Sequence, residues 1–150
     1  MSYRMACDYA DVIAGIASLA GTTTLGETNC RPSQPVNVLH IHGTADGVVP
    51  YAGGTQTNAA GVVSIRTSAM QLVQLWAGFN GSHDPVTDAG PSLDLDLSVA
   101  GLDTIVTRYG TYPAGGDVEL WAIQNGTHFP VLSPEFSPRM VDWLLARPKP

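Results

Sequence analysis

The chain has 150 residues, 44% of them hydrophobic and 13% charged, a balance that suits one globular domain rather than a disordered segment. Its formal charge of −6, with seven Lys and Arg residues scattered singly, gives no basic stripe able to neutralise phosphates, so nucleic acid is not the expected partner. The stretches richest in apolar residues, 12–20 and 36–41, fall short of the roughly 18 residues that a membrane-spanning helix needs.

In chain order, Met1, Met5 and Tyr9 stand four apart and define one side of a short opening helix. Residues 12–20 are apolar at both alternating positions and read as a strand covered on both sides, as in a parallel sheet. A polar connection, 22–35, leads to a second strand at 36–42, on which Val38, His40 and His42 share a face. A loop spans 43–54. Ala69, Leu72, Val73 and Trp76 have the spacing of an amphipathic helix that Gly78 can end. Residues 80–101 read as loop, with Leu93, Leu95 and Leu97 alternating as in a short edge strand. Two more strands follow at 104–109 and 118–123, separated by a turn-rich segment. Ser137 and Pro138 suit the cap and first position of a last helix running to Leu145. Strands alternating with helices predict an α/β architecture with a mostly parallel sheet flanked by helices.

In such sheets chemistry gathers in loops beyond the carboxyl ends of strands. Two loops qualify. The first, His42-Gly43-Thr44-Ala45-Asp46-Gly47-Val48-Val49-Pro50-Tyr51, places the Asp46 carboxylate there; the second, Asn125-Gly126-Thr127-His128-Phe129-Pro130, projects His128 from a tight turn. An aspartate and a later histidine, each after its strand, can orient and transfer protons as in a hydrolase triad; both residue types are also common in solvated turns. His40 and His42 share a face but lack a third ligand at suitable spacing, so they read as hydrogen-bonded strand histidines rather than a metal site. No cofactor is expected. Trp76 and Trp121 read as core, and Tyr51 as either a packed turn aromatic or the wall of an acyl pocket. Asn80-Gly81-Ser82 and Asn125-Gly126-Thr127 match the glycosylation acceptor pattern but read as turns, and His83-Asp84 as solvated surface. Cys7 and Cys30 are read equally as one bridge or as two thiols.

Taken in order, MSYRMACDYADVIAGIASLAG, Cys30-Arg31-Pro32, PVNVLHIHGTADGVVPYAGG, Val118-Glu119-Leu120-Trp121 and the Gly126-Thr127-His128 turn resemble the polyhydroxybutyrate depolymerases and related feruloyl or acetyl-xylan esterases. The HG-x-x-D-x-x-VPY loop is the most specific element. The resemblance runs through essentially the whole chain and implies the carboxyl-terminal half of an α/β-hydrolase fold, with Asp46 as acid and His128 as base. Its substrates would be small esters or polyesters, of hydroxyalkanoates or hydroxycinnamates. It suggests a secreted protein, although MSYRMACDYADV lacks the pattern of a secretory signal, as a mature secreted chain would. In the family, cysteines stand at the positions of Ser82 and Thr111, so a bridge worth about 2 to 4 kcal/mol is absent here.

The resemblance also places a G-x-S-x-G nucleophile elbow a few residues before the segment matching Met1-Ser2-Tyr3-Arg4, and the chain contains no G-x-S-x-G. Three resolutions follow. A second chain supplies the missing part, with a homodimer covering the exposed edge of a half sheet. Ser2 serves as nucleophile, assisted by an amino-terminal amine once Met1 is removed, with Ser18 and Ser133 as weaker candidates. Or the chain is a truncated piece whose fold outlives its catalysis. The expected activity is serine-type ester hydrolysis; the alternative is a non-catalytic dimeric or ligand-binding module of the same fold.

Overall fold

The computed structural model describes residues 1–23, 30–57, 60–82, 84–110 and 115–149. Thr111 and His83 lie outside them. The described elements, in chain order, are α1 (Ser2–Asp8), β1 (Gly15–Leu19), β2 (Asn37–Gly43), β3 (Gly54–Thr57), β4 (Val63–Arg66), α2 (Ala69–Phe79), β5 (Pro85–Thr87), β6 (Thr104–Tyr109), β7 (Val118–Ile123) and α3 (Phe136–Leu145). Five strands form one sheet in the order β1-β2-β7-β6-β5, and β3 and β4 pair as a separate hairpin.

The sheet is mixed rather than mostly parallel. β1 and β7 flank β2 in parallel, whereas β6 runs antiparallel to β7 and β5 antiparallel to β6. The segment between β6 and β7 is too short for the crossover that a parallel pair requires, and a hairpin results. β2 and β7 are buried along their whole lengths. Alternation sends Val38, Leu120 and Ala122 to one face, where Leu72, Val73 and Trp76 of α2 and Tyr3, Ala6 and Cys7 of α1 cover them. Leu39, Ile41, Trp121 and Ile123 point to the other face, where α3 brings Phe136 and Trp143. Trp76 and Trp121 are thus core residues, as expected.

Several sequence expectations need correction. The Met1, Met5 and Tyr9 side of α1 is exposed; the helix buries Tyr3, Ala6 and Cys7 instead. β1 starts only at Gly15, and of its residues Ile16 alone is buried, because it is an edge strand of the sheet. The edge strand at the other end is β5, beginning with a proline as edge strands tolerate. Leu93, Leu95 and Leu97 form no strand; single bridges join Leu93 to Thr104 and Asp96 to Leu132. α3 starts one residue before Ser137, with Glu135 at its cap and no side-chain capping bond.

Local chemistry explains the ends of the other elements. Ser68 caps α2: its Oγ accepts from Gln71 N at 3.0 Å and the Gln71 side chain accepts from Ser68 N at 3.0 Å, a reciprocal capping box. Asn80, which follows α2, is buried and bonds Val36 N, Val36 O and Gly116 O through its amide, a structural use of the first acceptor-like tripeptide. Arg147 fastens the end of α3 to the sheet, donating to Asp117 at 2.6 Å and Glu119 at 3.2 Å while its guanidinium stacks 4.1 Å from the Trp143 ring centroid. Cys7 and Cys30 are bridged, with Cα atoms 5.5 Å apart, which ties α1 to the connection before β2.

Candidate active site

β2 and β7 are adjacent and parallel, so their carboxyl ends emerge side by side. The loops they feed are stitched together by backbone: Thr44 N donates to Ile123 O at 2.9 Å, Ala45 N to Gly126 O at 3.0 Å, and Asn125 N to Thr44 Oγ1 at 2.9 Å. Such close approach requires glycine. A Cβ on Gly43 would lie 2.2 Å from Gly126 O, and one on Gly126 would lie 2.6 Å from the Ile123 side chain. Asn125 turns the second loop with φ of 59°, a left-handed conformation that asparagine tolerates.

This arrangement brings the two predicted residues together. His128 Nδ1 lies 2.8 Å from Asp46 Oδ2. The other oxygen, Oδ1, accepts from the backbone N–H groups of Val48 at 2.8 Å and Val49 at 2.7 Å. Burial of Asp46 works against its charged form, but the bonds from His128, Val49 and Val48 outweigh it and hold the carboxyl below the usual range. Asp46 is therefore an anion at neutral pH. Since a carboxylate only accepts, His128 must carry its proton on Nδ1. In a neutral ring Nε2 then keeps its lone pair, and no described residue hydrogen-bonds it. The imidazole is partly exposed, with the strongly exposed Phe129 ring edge-on at 4.7 Å between centroids. Beyond it the chain is anchored by Val131 N donating to Asp96 Oδ1 at 3.0 Å and Ser133 N to Leu95 O at 2.9 Å.

The candidate nucleophiles do not join this pair. Ser2 opens α1 and makes no hydrogen bond to His128. Ser18 Oγ lies against Gly21, where a Cβ would meet it at 2.2 Å, and Ser133 Oγ donates to Asp94 O at 2.8 Å. Ser82 is buried beside Gly110, where a Cβ would meet its Oγ at 2.4 Å. Its expected counterpart Thr111 is outside the described residues.

What sequence reasoning missed is the company Asp46 keeps. His40 and His42 do share a face of β2, and His40 Nε2 lies 3.0 Å from His42 Nδ1. The Tyr3 hydroxyl, from α1, reaches His40 Nδ1 at 2.7 Å. His42 Nε2 lies 2.8 Å from Val49 O and 3.3 Å from Asp46 Oδ2. Burial pushes His40 down to about 3, with the neighbouring His42 adding to the effect. His42 is also lowered by burial, partly offset by the Val49 carbonyl and Asp46. Tyr51 is half-buried and packs edge-on to the His42 ring at 5.6 Å between centroids. The period-two spacing of His40 and His42 was legible; nothing in the sequence pointed to Tyr3. Among the described residues, no group of three or more His, Cys, Asp or Glu side chains has the arrangement of a metal site.

No family model matches the chain. Its sequence is similar, at a distance, to proteins named as esterases. Feruloyl esterase B of Piromyces equi is 33% identical over 131 residues, which are 85% of this chain and 22% of that protein. The "Putative esterase NocK" of Nocardia uniformis subsp. tsuyamanensis is 40% identical over 53 residues, which are 35% of this chain and 15% of that protein. The chain thus spans less than a quarter of the length of these relatives.

Proposed function

We propose that this chain carries the acid–base pair of a serine-type carboxylic-ester hydrolase of the α/β-hydrolase kind, with His128 as general base and Asp46 orienting its imidazole. The observation that carries the reading is the 2.8 Å contact between His128 Nδ1 and an Asp46 carboxylate already fixed by two backbone N–H groups. It fixes the tautomer, leaving Nε2 to take a proton from an attacking hydroxyl and return one to the leaving alcohol. The esterase names of the relatives support the same class. The exposed Phe129 ring beside His128 offers apolar surface for an acyl or aryl group. On this reading the substrates are esters of hydroxycinnamates or hydroxyalkanoates.

Hydrolysis of p-nitrophenyl acetate and butyrate by the purified chain, beside His128→Ala and Ser2→Ala, tests the reading. Turnover above buffer that falls at least 100-fold in His128→Ala supports it; equal rates in the wild type, the variants and buffer contradict it. Loss in Ser2→Ala as well assigns the nucleophile to this chain. A second reading, a non-catalytic dimeric module, draws on two observations: no described hydroxyl bonds His128 Nε2, and β1 is an unpaired edge of the sheet. On that reading the chain sediments as a dimer and hydrolyses neither ester.

A further inference from the structure

Four side chains from three parts of the chain form a continuous buried line: Tyr3 of α1, His40 and His42 of β2, and Asp46 of the following loop, which ends on His128. We propose that Tyr3, His40 and His42 are positioning residues, a neutral one-way strut that fixes the Asp46 carboxylate for His128. The inference rests on the reading of Asp46 and His128 as an acid–base pair, and it adds to that pair three residues that touch no substrate.

The direction of every proton in the strut follows from one fixed end. The Val49 carbonyl can only accept, so His42 Nε2, 2.8 Å away, carries a proton. In a neutral ring His42 Nδ1 is then an acceptor, and His40 Nε2, at 3.0 Å, must donate to it. That leaves His40 Nδ1 to accept from the Tyr3 hydroxyl at 2.7 Å. Both rings are neutral because burial disfavours their charged forms. The donors therefore all point toward Asp46, and a reversed chain would leave the His42 Nε2 lone pair facing the Val49 carbonyl, two acceptors with no proton between them.

Val49 closes the clamp. Its carbonyl accepts from His42 while its N–H donates to Asp46 Oδ1, so the loop carrying Asp46 is tied to β2 through His42. His42 Nε2 lies 3.3 Å from Asp46 Oδ2, an electrostatic contact beside the His128 bond to that oxygen. The carboxylate is thus fixed on one oxygen by two backbone donors and on the other by His128, with the His42 N–H close by. The titratable groups facing the strut are Tyr3 from α1, Tyr51 and Asp46 from the loop after β2, and His128 from the loop after β7. Asp46 is the one anion among them. Preorganisation of this kind matters because a misplaced orienting group costs far more rate than stability.

The test reads imidazole nitrogens by long-range proton–nitrogen NMR on the isotopically labelled chain, and needs no turnover. In the unmodified protein, His40 and His42 should both be Nε2–H tautomers at neutral pH, and His40 should stay singly protonated from pH 8 to pH 5. In His42→Phe, His128 Nδ1 should move downfield as Asp46 Oδ2 loses its electrostatic contact with the His42 N–H. His42→Gln, which keeps an N–H near the Nε2 position, should restore the wild-type shift. Tyr3→Phe should move the His40 Nδ1 signal toward that of an unbonded lone pair. An Nδ1–H tautomer at either strand histidine, or His40 becoming doubly protonated above pH 5, would overturn the proposal even if no variant folds. So would an unchanged His128 Nδ1 shift in folded His42→Phe. A chain that shows the predicted tautomers and shifts yet hydrolyses no ester would keep the strut and lose the hydrolase reading, so the two failures are distinguishable.

Discussion

At the scale of single residues, two buried neutral histidines give a pH signature. His40 has a folded value near 3 against an ordinary value near 6.5, and His42 is lowered in the same direction. The unfolded chain binds protons that the folded chain refuses, so stability is complete above about pH 6.5 and is lost as pH falls below it. Each such histidine contributes a slope of up to about 1.4 kcal/mol per pH unit in that window. Asp46 acts lower: its depressed carboxyl adds stability that is present above the ordinary aspartate range and vanishes as pH falls through its folded value. Urea midpoints measured between pH 7 and pH 5 should therefore fall, and His40→Phe should flatten the slope. A second residue-scale prediction concerns Gly43, whose missing Cβ makes room for the Gly126 carbonyl. Gly43→Ala should cost about 2 to 4 kcal/mol in chemical denaturation and weaken the contact between Asp46 and His128.

Among the elements, the Cys7–Cys30 bridge and the Arg147 anchor do what hydrophobic burial alone does not. α1 has seven residues, too few to persist unaided. The bridge, closing a span of 23 positions, should stabilise the fold by roughly 3 kcal/mol. Reduction should lower the melting temperature by about 10 °C, and a Cys7→Ser, Cys30→Ser variant should match the reduced protein. Elements were legible where burial imposed a period. β2, β6, β7 and α2 lie close to their predicted ranges because short apolar runs bounded by turn residues mark the buried strands and a three-to-four spacing marks the helix. Edge and surface elements were not. β3, β4 and β5 are short and largely exposed, so no buried face marks them. The Met1, Met5 and Tyr9 spacing misled because a helix stripe of large apolar residues does not say which side meets the sheet; Tyr3, Ala6 and Cys7 do, held by the His40 bond and the bridge. The capping box at Ser68 and Gln71 carried its own signal, a serine followed three residues later by glutamine ahead of an apolar run.

Over the whole molecule, the candidate site follows from topology. Parallel pairing of β2 with β7 sets two loops at one end of the sheet, and glycines at Gly43 and Gly126 let them touch. The Asp46 and His128 positions were readable because each follows a strand in a turn-forming sequence; that the two meet depends on strand order, which no local pattern encodes. The mixed sheet is the same lesson reversed, since the strands between 104 and 123 were recognised but not their hairpin pairing. The central claim is that Asp46 makes His128 a working base, and the most direct measurement is the rate of p-nitrophenyl butyrate hydrolysis by the wild-type chain and by Asp46→Asn. The account predicts turnover above buffer in the wild type and a loss on the order of 10⁴-fold, or to background, in a folded Asp46→Asn chain. Equal rates in the two proteins would contradict it.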